Sequence, residues 1–350
     1  MPIFYRYITR ETLGIFSATC LILLAIIISF RLTNLLGSAA TGDLSLSAVW
    51  QLIGLQSVRF LIVLMPVSLI LAFAMSMGRL YSEQEMPAAL ACGISQQQIC
   101  KANLLLSIPV AAIIAASNLF LLPEVYERQD TLRSQAEQEA AMILFRANEF
   151  RRLDDGTVVF TGDASGDQLS QFFVYRSQND EQSIIVAPQG HFSSNDQGKY
   201  LELDDGMRTS WRSSFQPQHS QLSYFAHGVL RLPDNRATAS DRLRNLPLSL
   251  LPNNAEGNAE LQNRINPALA LVLFSALLPF LARTRPRSSR YQKLIPIFVL
   301  FAIYLNVLGM TTTAIRNESL APWPGSLWVH IPIILLLLII WRPQSWRRKA

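Results

Sequence analysis

Leu13–Phe30 reads LGIFSATCLILLAIIISF, eighteen residues without an Asp, Glu, Lys or Arg. A run of that length has no place on the surface of a soluble domain. Crossing the hydrocarbon core of a bilayer takes roughly 20 apolar residues per helix, and only helices or closed barrels satisfy every backbone group there. Five further stretches have the same character: Phe60–Gly78, Ala102–Leu122, Ile265–Ala282, Leu294–Ile315 and Leu320–Trp341. The layout is three spans, a polar block over residues 123–264, and three more spans. The expected architecture is therefore an α-helical membrane protein with six transmembrane helices and an inserted β domain. Its parts are 1–122, 123–264 and 265–350. The first run exceeds the 7–15 apolar residues of a secretory signal, so it reads as a retained helix.

Basic residues set the orientation. Arg6 and Arg10 precede the first span, and Arg79 and Lys101 lie between the second and third. Arg283, Arg285, Arg287, Arg290 and Lys293 follow the fourth, and Arg342, Arg347, Arg348 and Lys349 form the tail. With six spans, all of these fall on one side, whereas Gly37–Ser47 has no Lys or Arg. The positive-inside rule then places both termini in the cytoplasm and the polar block outside it. The pI of about 9.3 belongs to these membrane edges, where cations meet anionic lipid, so nucleic acid is excluded as a partner. Half of the 350 residues are hydrophobic, and mean hydropathy is +0.23 because the polar block dilutes the spans.

Within the polar block, Glu124–Glu149 carries apolar residues at mostly helical spacing and reads as a helix extending span three. Thr157–Thr161, Gln171–Arg176, Ser183–Val186, Lys199–Leu203, Met207–Arg212 and Leu222–Leu232 read as strands. Turn signals separate them at Asp155-Gly156, Gly162-Asp163, Asn195-Asp196 and Asp205-Gly206. Asp204-Asp205-Gly206 reads as a hairpin, and the whole as a sandwich or jellyroll-like domain. Asp234–Asn263, rich in Pro, Asn and Ser, reads as a linker back to the membrane.

Catalytic chemistry has no foothold. Gly198-Lys199 lacks the rest of a phosphate-binding loop, and no His-Glu-x-x-His or Gly-x-Ser-x-Gly occurs. Cys20, Cys92 and Cys100 match no metal spacing, and no cofactor is implied. His330, beside Trp323 and Trp328, reads as an interfacial anchor. The spans as drawn contain no Asp or Glu, which weakens ion-coupled transport.

Three features are candidates for function. Arg31 and Arg59 flank the first two spans on the outer side. Each is either a snorkelling anchor or a contact for an anionic lipid headgroup, where a guanidinium binds phosphate through two nitrogens. Arg316 lies at a similar depth after span five. The loop Gly78-Arg79-Leu80-Tyr81-Ser82-Glu83-Gln84-Glu85-Met86 begins a short helix over about 82–93, with acids in its first turn and Gly93 at its end. It serves either as a handle for a soluble partner or as an ordinary connector.

Arg6-Tyr7, Arg10-Glu11-Thr12-Leu13, the run from Leu64-Met65-Pro66 to Gly78-Arg79-Leu80, Ser82–Glu85 and Ala91-Cys92-Gly93-Ile94-Ser95 together resemble the lipopolysaccharide export permeases of the LptF/LptG type, the F branch more than the G branch. The likeness spans the chain in architecture, with its specific motifs in the first hundred residues. It implies a non-catalytic permease subunit of an ABC transporter in the inner membrane of a Gram-negative bacterium. It further implies an LptG-type second permease, an LptB-type ATPase dimer that supplies hydrolysis, and an LptC-type periplasmic bridge that takes lipopolysaccharide from a periplasmic jellyroll. Glu85, with Glu83 beside it, matches the acidic coupling-helix position that meets the ATPase. Arg31 stands where the family carries a basic residue facing lipid phosphates, Asn34 where another can occur, and Arg59 and Arg316 join as headgroup candidates by position. Extraction of a many-chained amphiphile exposes apolar surface at about 25 cal/mol per Å², which calls for an outside energy source. The alternatives are a membrane scaffold, or a permease for another lipid or lipoprotein.

Overall fold

A computed structural model of the chain describes residues 2–40, 44–144, 149–152, 156–165, 168–178, 181–195, 198–212, 220–231, 239–283, 289 and 291–341. The basic positions 285, 287, 290 and 342–349, and the turn residues 155 and 196, lie outside the described residues. The chain divides into a helical unit (1–37, 46–132 and 238–350) and a β unit (38–45 and 133–237).

In the helical unit, α1 (Pro2–Ala40), α2 (Leu46–Ser82), α4 (Gln96–Ala116), α7 (Ala255–Leu281) and α8 (Leu294–Arg316) supply the long apolar helices, with α3 (Glu85–Ala91) between α2 and α4. α4 passes through a π turn at Ser117–Leu121 into α5 (Leu122–Leu144). The extra residue of the π turn lets the helix run on through Pro123. α6 (Ala239–Asn245) precedes α7. α9 (Leu327–Trp341) is shorter than the sixth span drawn from the sequence. Its fifteen residues cover about 22 Å at 1.5 Å per residue, because Pro322, Pro324 and Gly325 hold the preceding segment in turns. Among the described residues, five helices have the length and composition to cross a membrane.

The core of this unit follows helical spacing. On α2, Leu69, Ile70, Phe73, Met77 and Leu80 are buried against Leu271, Phe274 and Leu278 of α7 and Phe301 and Tyr304 of α8. Phe274 packs its ring 5.0 Å from that of Phe301. The α4–α7 seam is small and polar. Cys100 donates to the Ala276 carbonyl (3.1 Å), Asn103 to the Ser275 carbonyl (3.4 Å), and Ser275 to the Ser107 hydroxyl (2.7 Å). Small residues of this kind let helices approach closely inside lipid. His330 is buried and hydrogen-bonded to Tyr304, so it packs inside the bundle and is not an interfacial anchor.

α7 begins at Ala255, ten residues before the span drawn from sequence. Asn254 accepts a hydrogen bond from the Gly257 amide (2.9 Å) as its N-cap. A side chain at Gly257 would place its Cβ 1.9 Å from the Pro252 carbonyl oxygen. The expected linker 234–263 therefore ends in α6, a 3-10 turn (Leu248–Leu250) and the first turns of α7. Consequently α7 carries Glu256 and Glu260, acids that the span drawn from the sequence left out.

The β unit is one antiparallel sheet of β1 (Glu149–Arg152), β2 (Val158–Ser165), β3 (Gln168–Gln178), β4 (Glu181–Asn195), β5 (Gly198–Arg212) and β6 (Gln221–Arg231), in that order. The inserted β domain is present, and its strand order is a meander. The Greek-key crossings of a strict jelly roll do not occur among the described strands. The Asp204–Gly206 hairpin and the Gly162-Asp163 turn are not reversals, for both sit inside strands. Thr161 pairs with Phe172 and Asp163 with Ser170, which sets Gly162 opposite Gln171. Ser170 pairs with Gln189 and Phe172 with Ala187, which sets Gln171 opposite Pro188. The next register sets Pro188 opposite Asp205. Gln171 (φ 56°) and Asp205 (φ 53°) are both left-handed, so turn-type residues form a crease running across four strands. Phe172, Val174, Ala187 and Leu203 beside it are the small buried core.

Candidate functional site

Two clusters of charge are set apart along α1 and α2. Glu11 and Arg31 are twenty residues apart on α1, and Arg59 and Arg79 are twenty apart on α2. Twenty helical residues span about 30 Å, which is the thickness of a hydrocarbon core.

The first cluster is built around Arg79, in the last turn of α2. Its guanidinium makes two contacts with Glu11, one from Nε and one from Nη2 at 2.6 Å. Nη1 donates to Glu83 at 2.8 Å and lies 3.9 Å from Glu85. Nη2 also donates to the Tyr7 hydroxyl (2.6 Å), which in turn donates to Glu85 (3.0 Å). One planar fork of five donors on α2 thus gathers three carboxylates and a phenol from α1, the turn and α3.

Local structure places Glu83 and Glu85 here. α2 runs to Ser82, and Gln84 in the left-handed conformation (φ 64°) breaks it and starts α3 at Glu85. The short helix is therefore Glu85–Ala91, tighter than the 82–93 drawn from sequence. Its end is a Schellman motif: Ile94 N–H reaches the Ala89 carbonyl and Gly93 N–H the Leu90 carbonyl, with Gly93 at φ 90°. Ser95 and Gln98 then form a capping box for α4. Met86 is buried in the core and pins α3 down, while the Glu83 and Glu85 side chains stay 47% and 40% exposed.

The second cluster joins two of the three predicted headgroup arginines and adds one that sequence reading missed. Arg31 lies 5.5 Å from the Phe60 ring centre and Arg59 5.8 Å from the same ring. Arg59 also lies 5.1 Å from Tyr126, whose ring is 5.9 Å from Arg244 of α6. Three guanidiniums and two aromatic faces alternate, each within cation–π range.

Arg316 stands apart from that stack. It lies 3.7 Å from Glu260, a buried carboxylate of α7 that also pairs with Arg264 at 3.1 Å. Arg264 Nη2 donates to the carbonyls of Leu243, Arg244 and Leu246, capping the C-terminal end of α6 and so holding Arg244 in place. Tyr126, Arg244, Glu260 and Arg264 line a cavity of about 270 Å³, closed on its apolar side by Ile62, Leu305 and Leu308. The signal that could have found Glu260 and Arg264 is their i, i+4 spacing just before an apolar run.

A bundle of long apolar helices, with a β domain inserted after the third and charge clusters set apart along its first two helices, defines a helical membrane protein with an inserted β domain. The family model for the lipopolysaccharide export system permease LptF/LptG matches residues 6–343, and the chain belongs to that family. It is 26% identical to the lipopolysaccharide export system permease protein LptF of Escherichia coli (strain K12), over 97% of this chain and 93% of that protein. It is similar to the same degree and extent to LptF of Shigella flexneri.

Proposed function

We propose that this chain is the LptF-type permease subunit of an ATP-driven exporter that lifts lipopolysaccharide out of the inner membrane toward a periplasmic bridge. The observation that carries the reading is the family match along nearly the whole chain, joined to charge clusters about one bilayer apart. In this reading both termini and α3 face the cytoplasm, and the β sheet faces the periplasm. Glu83 and Glu85 offer exposed carboxylates to an LptB-type ATPase. The Arg31–Arg59–Arg244 stack presents cations at outer-leaflet depth, where a phosphorylated lipid head sits. An LptG-type permease pairs with this chain around the lipid, and an LptC-type protein receives it.

Energy enters from outside the chain. The sequence has no phosphate-binding loop, and the buried Glu260 is already engaged by Arg264 and Arg316. Such a carboxylate is poorly placed to shuttle protons.

The test is reconstitution of this chain with its partner permease and ATPase in proteoliposomes loaded with lipopolysaccharide. ATP-dependent release of the lipid to a soluble acceptor is expected. Copurification with the ATPase without release would favour a scaffold, and release of a lipoprotein instead would reassign the cargo.

A further inference from the structure

We propose that Arg79 is a positioning residue that clamps the N-terminal end of α1 to the α2–α3 turn and to α3, so that these parts move as one body. The proposal rests on the coupling reading of α3 for its consequence, but the clamp itself stands on geometry.

α1 is sparsely held. Along its length Leu21, Ile22, Ile26 and Phe30 are exposed, and buried side chains are scattered at Ile8, Thr12, Cys20 and Leu35. Ile8 and Thr12 directly follow Tyr7 and Glu11, the two α1 residues that meet Arg79. The guanidinium binds Glu11 through two nitrogens and reaches Glu83 with a third, while Tyr7 bridges it to Glu85. α1 is thereby joined to the turn and to the first residue of α3 by a planar group with no rotatable bond inside it. A lysine has the charge but not the fork.

Without this cation, Glu11, Glu83 and Glu85 become like charges gathered at one corner. Arg79 therefore supplies both attraction and geometry. A displacement of α3 by a docked ATPase is carried into α1 through Tyr7 and Glu11, as well as along the backbone of α2.

The experiment uses the full chain in its complex with the second permease and the ATPase. Spin labels go on Ile3→Cys, which is 83% exposed, and on the exposed native Cys92. The buried Cys20 and Cys100 are replaced by alanine. One narrow Ile3–Cys92 distance is expected, the same without nucleotide and with ATP trapped. Tyr7→Phe, which is isosteric and keeps Arg79 on Glu11, broadens it modestly, and Arg79→Gln broadens it strongly. Arg79→Lys falls between. Lipid released per ATP hydrolysed drops by about tenfold in Arg79→Gln, the order set by one charged hydrogen bond.

A wild-type distance that changes with nucleotide overturns the clamp, as does an unbroadened distance in both Arg79→Gln and Tyr7→Phe. If the wild-type complex releases no lipopolysaccharide, the proposed function fails while the distances still decide on the clamp.

Discussion

Arg264 lies one turn along α7 from Glu260, and the two form a buried ion pair at 3.1 Å with side chains only 5% and 3% exposed. A pair so deeply buried is weak evidence for stability, since desolvation offsets the attraction. Its structural effect is to place a cation where three carbonyls of the 243–246 segment need a donor.

Removing one partner is therefore expected to be severe. Among the described residues, Arg264→Leu leaves Glu260 with only Arg316 at 3.7 Å and strips the donors from α6. A loss of about 3–5 kcal/mol is expected when one partner of a buried ion pair is removed. Replacing both Glu260 and Arg264 by leucine should cost clearly less than the single change. A thermal unfolding double-mutant cycle in detergent measures the difference, and a double variant as unstable as Arg264→Leu would contradict the prediction.

Glu85→Ala removes an exposed carboxylate from the first turn of α3 and the acceptor for Tyr7. ATPase retained on the purified permease should fall about tenfold, as expected for one charged hydrogen bond, with membrane insertion unchanged. Glu83→Ala should have a smaller effect, because Glu83 lies in the turn. Pull-down at increasing salt quantifies both; equal retention of the ATPase by wild type and Glu85→Ala would end the coupling assignment.

Arg31→Glu puts an anion beside Phe60 and Arg59. Photocrosslinking of lipopolysaccharide from a neighbouring position should drop, and Arg244→Glu should lower it likewise. Phe60→Ala keeps every charge but removes the face shared by Arg31 and Arg59, a contact of about 1 kcal/mol, so a milder drop is expected. Unchanged crosslinking in Arg31→Glu would leave the stack as an anchor alone.

The N-terminus of α7 offers a stability test away from these clusters. Asn254→Ala loses the side-chain cap, about 1 kcal/mol. Gly257→Ala should be worse, since its Cβ would meet the Pro252 carbonyl at 1.9 Å and the chain must shift. The melting temperatures should rank wild type, Asn254→Ala, Gly257→Ala; the reverse order for the two variants would show that the cap segment moves freely.

Turn chemistry illustrates where linear reading stops. Asp204-Asp205-Gly206 has the composition of a hairpin, and Asp205 does adopt a positive φ. Yet the same residues relieve strain equally well in a strand that only bends. Pairing of β5 with β4 on one side and β6 on the other, continuous in register past the kink, keeps the chain going. Similarly, 255–263 has the polar composition of a linker, but Glu260 and Arg264 neutralise one another and let α7 start there.

The apolar runs, the asymmetry of basic residues between their ends and the change to alternating strands in the middle were all legible in the linear order of residues. Transfer into lipid depends on composition over a window of about twenty residues, and no partner is needed to read it. Arg31, Arg59, Glu83 and Glu85 were legible as candidates for the same reason, as charges at the margins of such windows. That Arg79 gathers Glu11, Glu83 and Glu85, that Arg244 joins Arg59 across Tyr126, and that Arg316 turns to Glu260 emerged only in three dimensions. A charge finds its partner by approach through space, and residues 11 and 79, or 59 and 244, become neighbours only after the helices between them have packed.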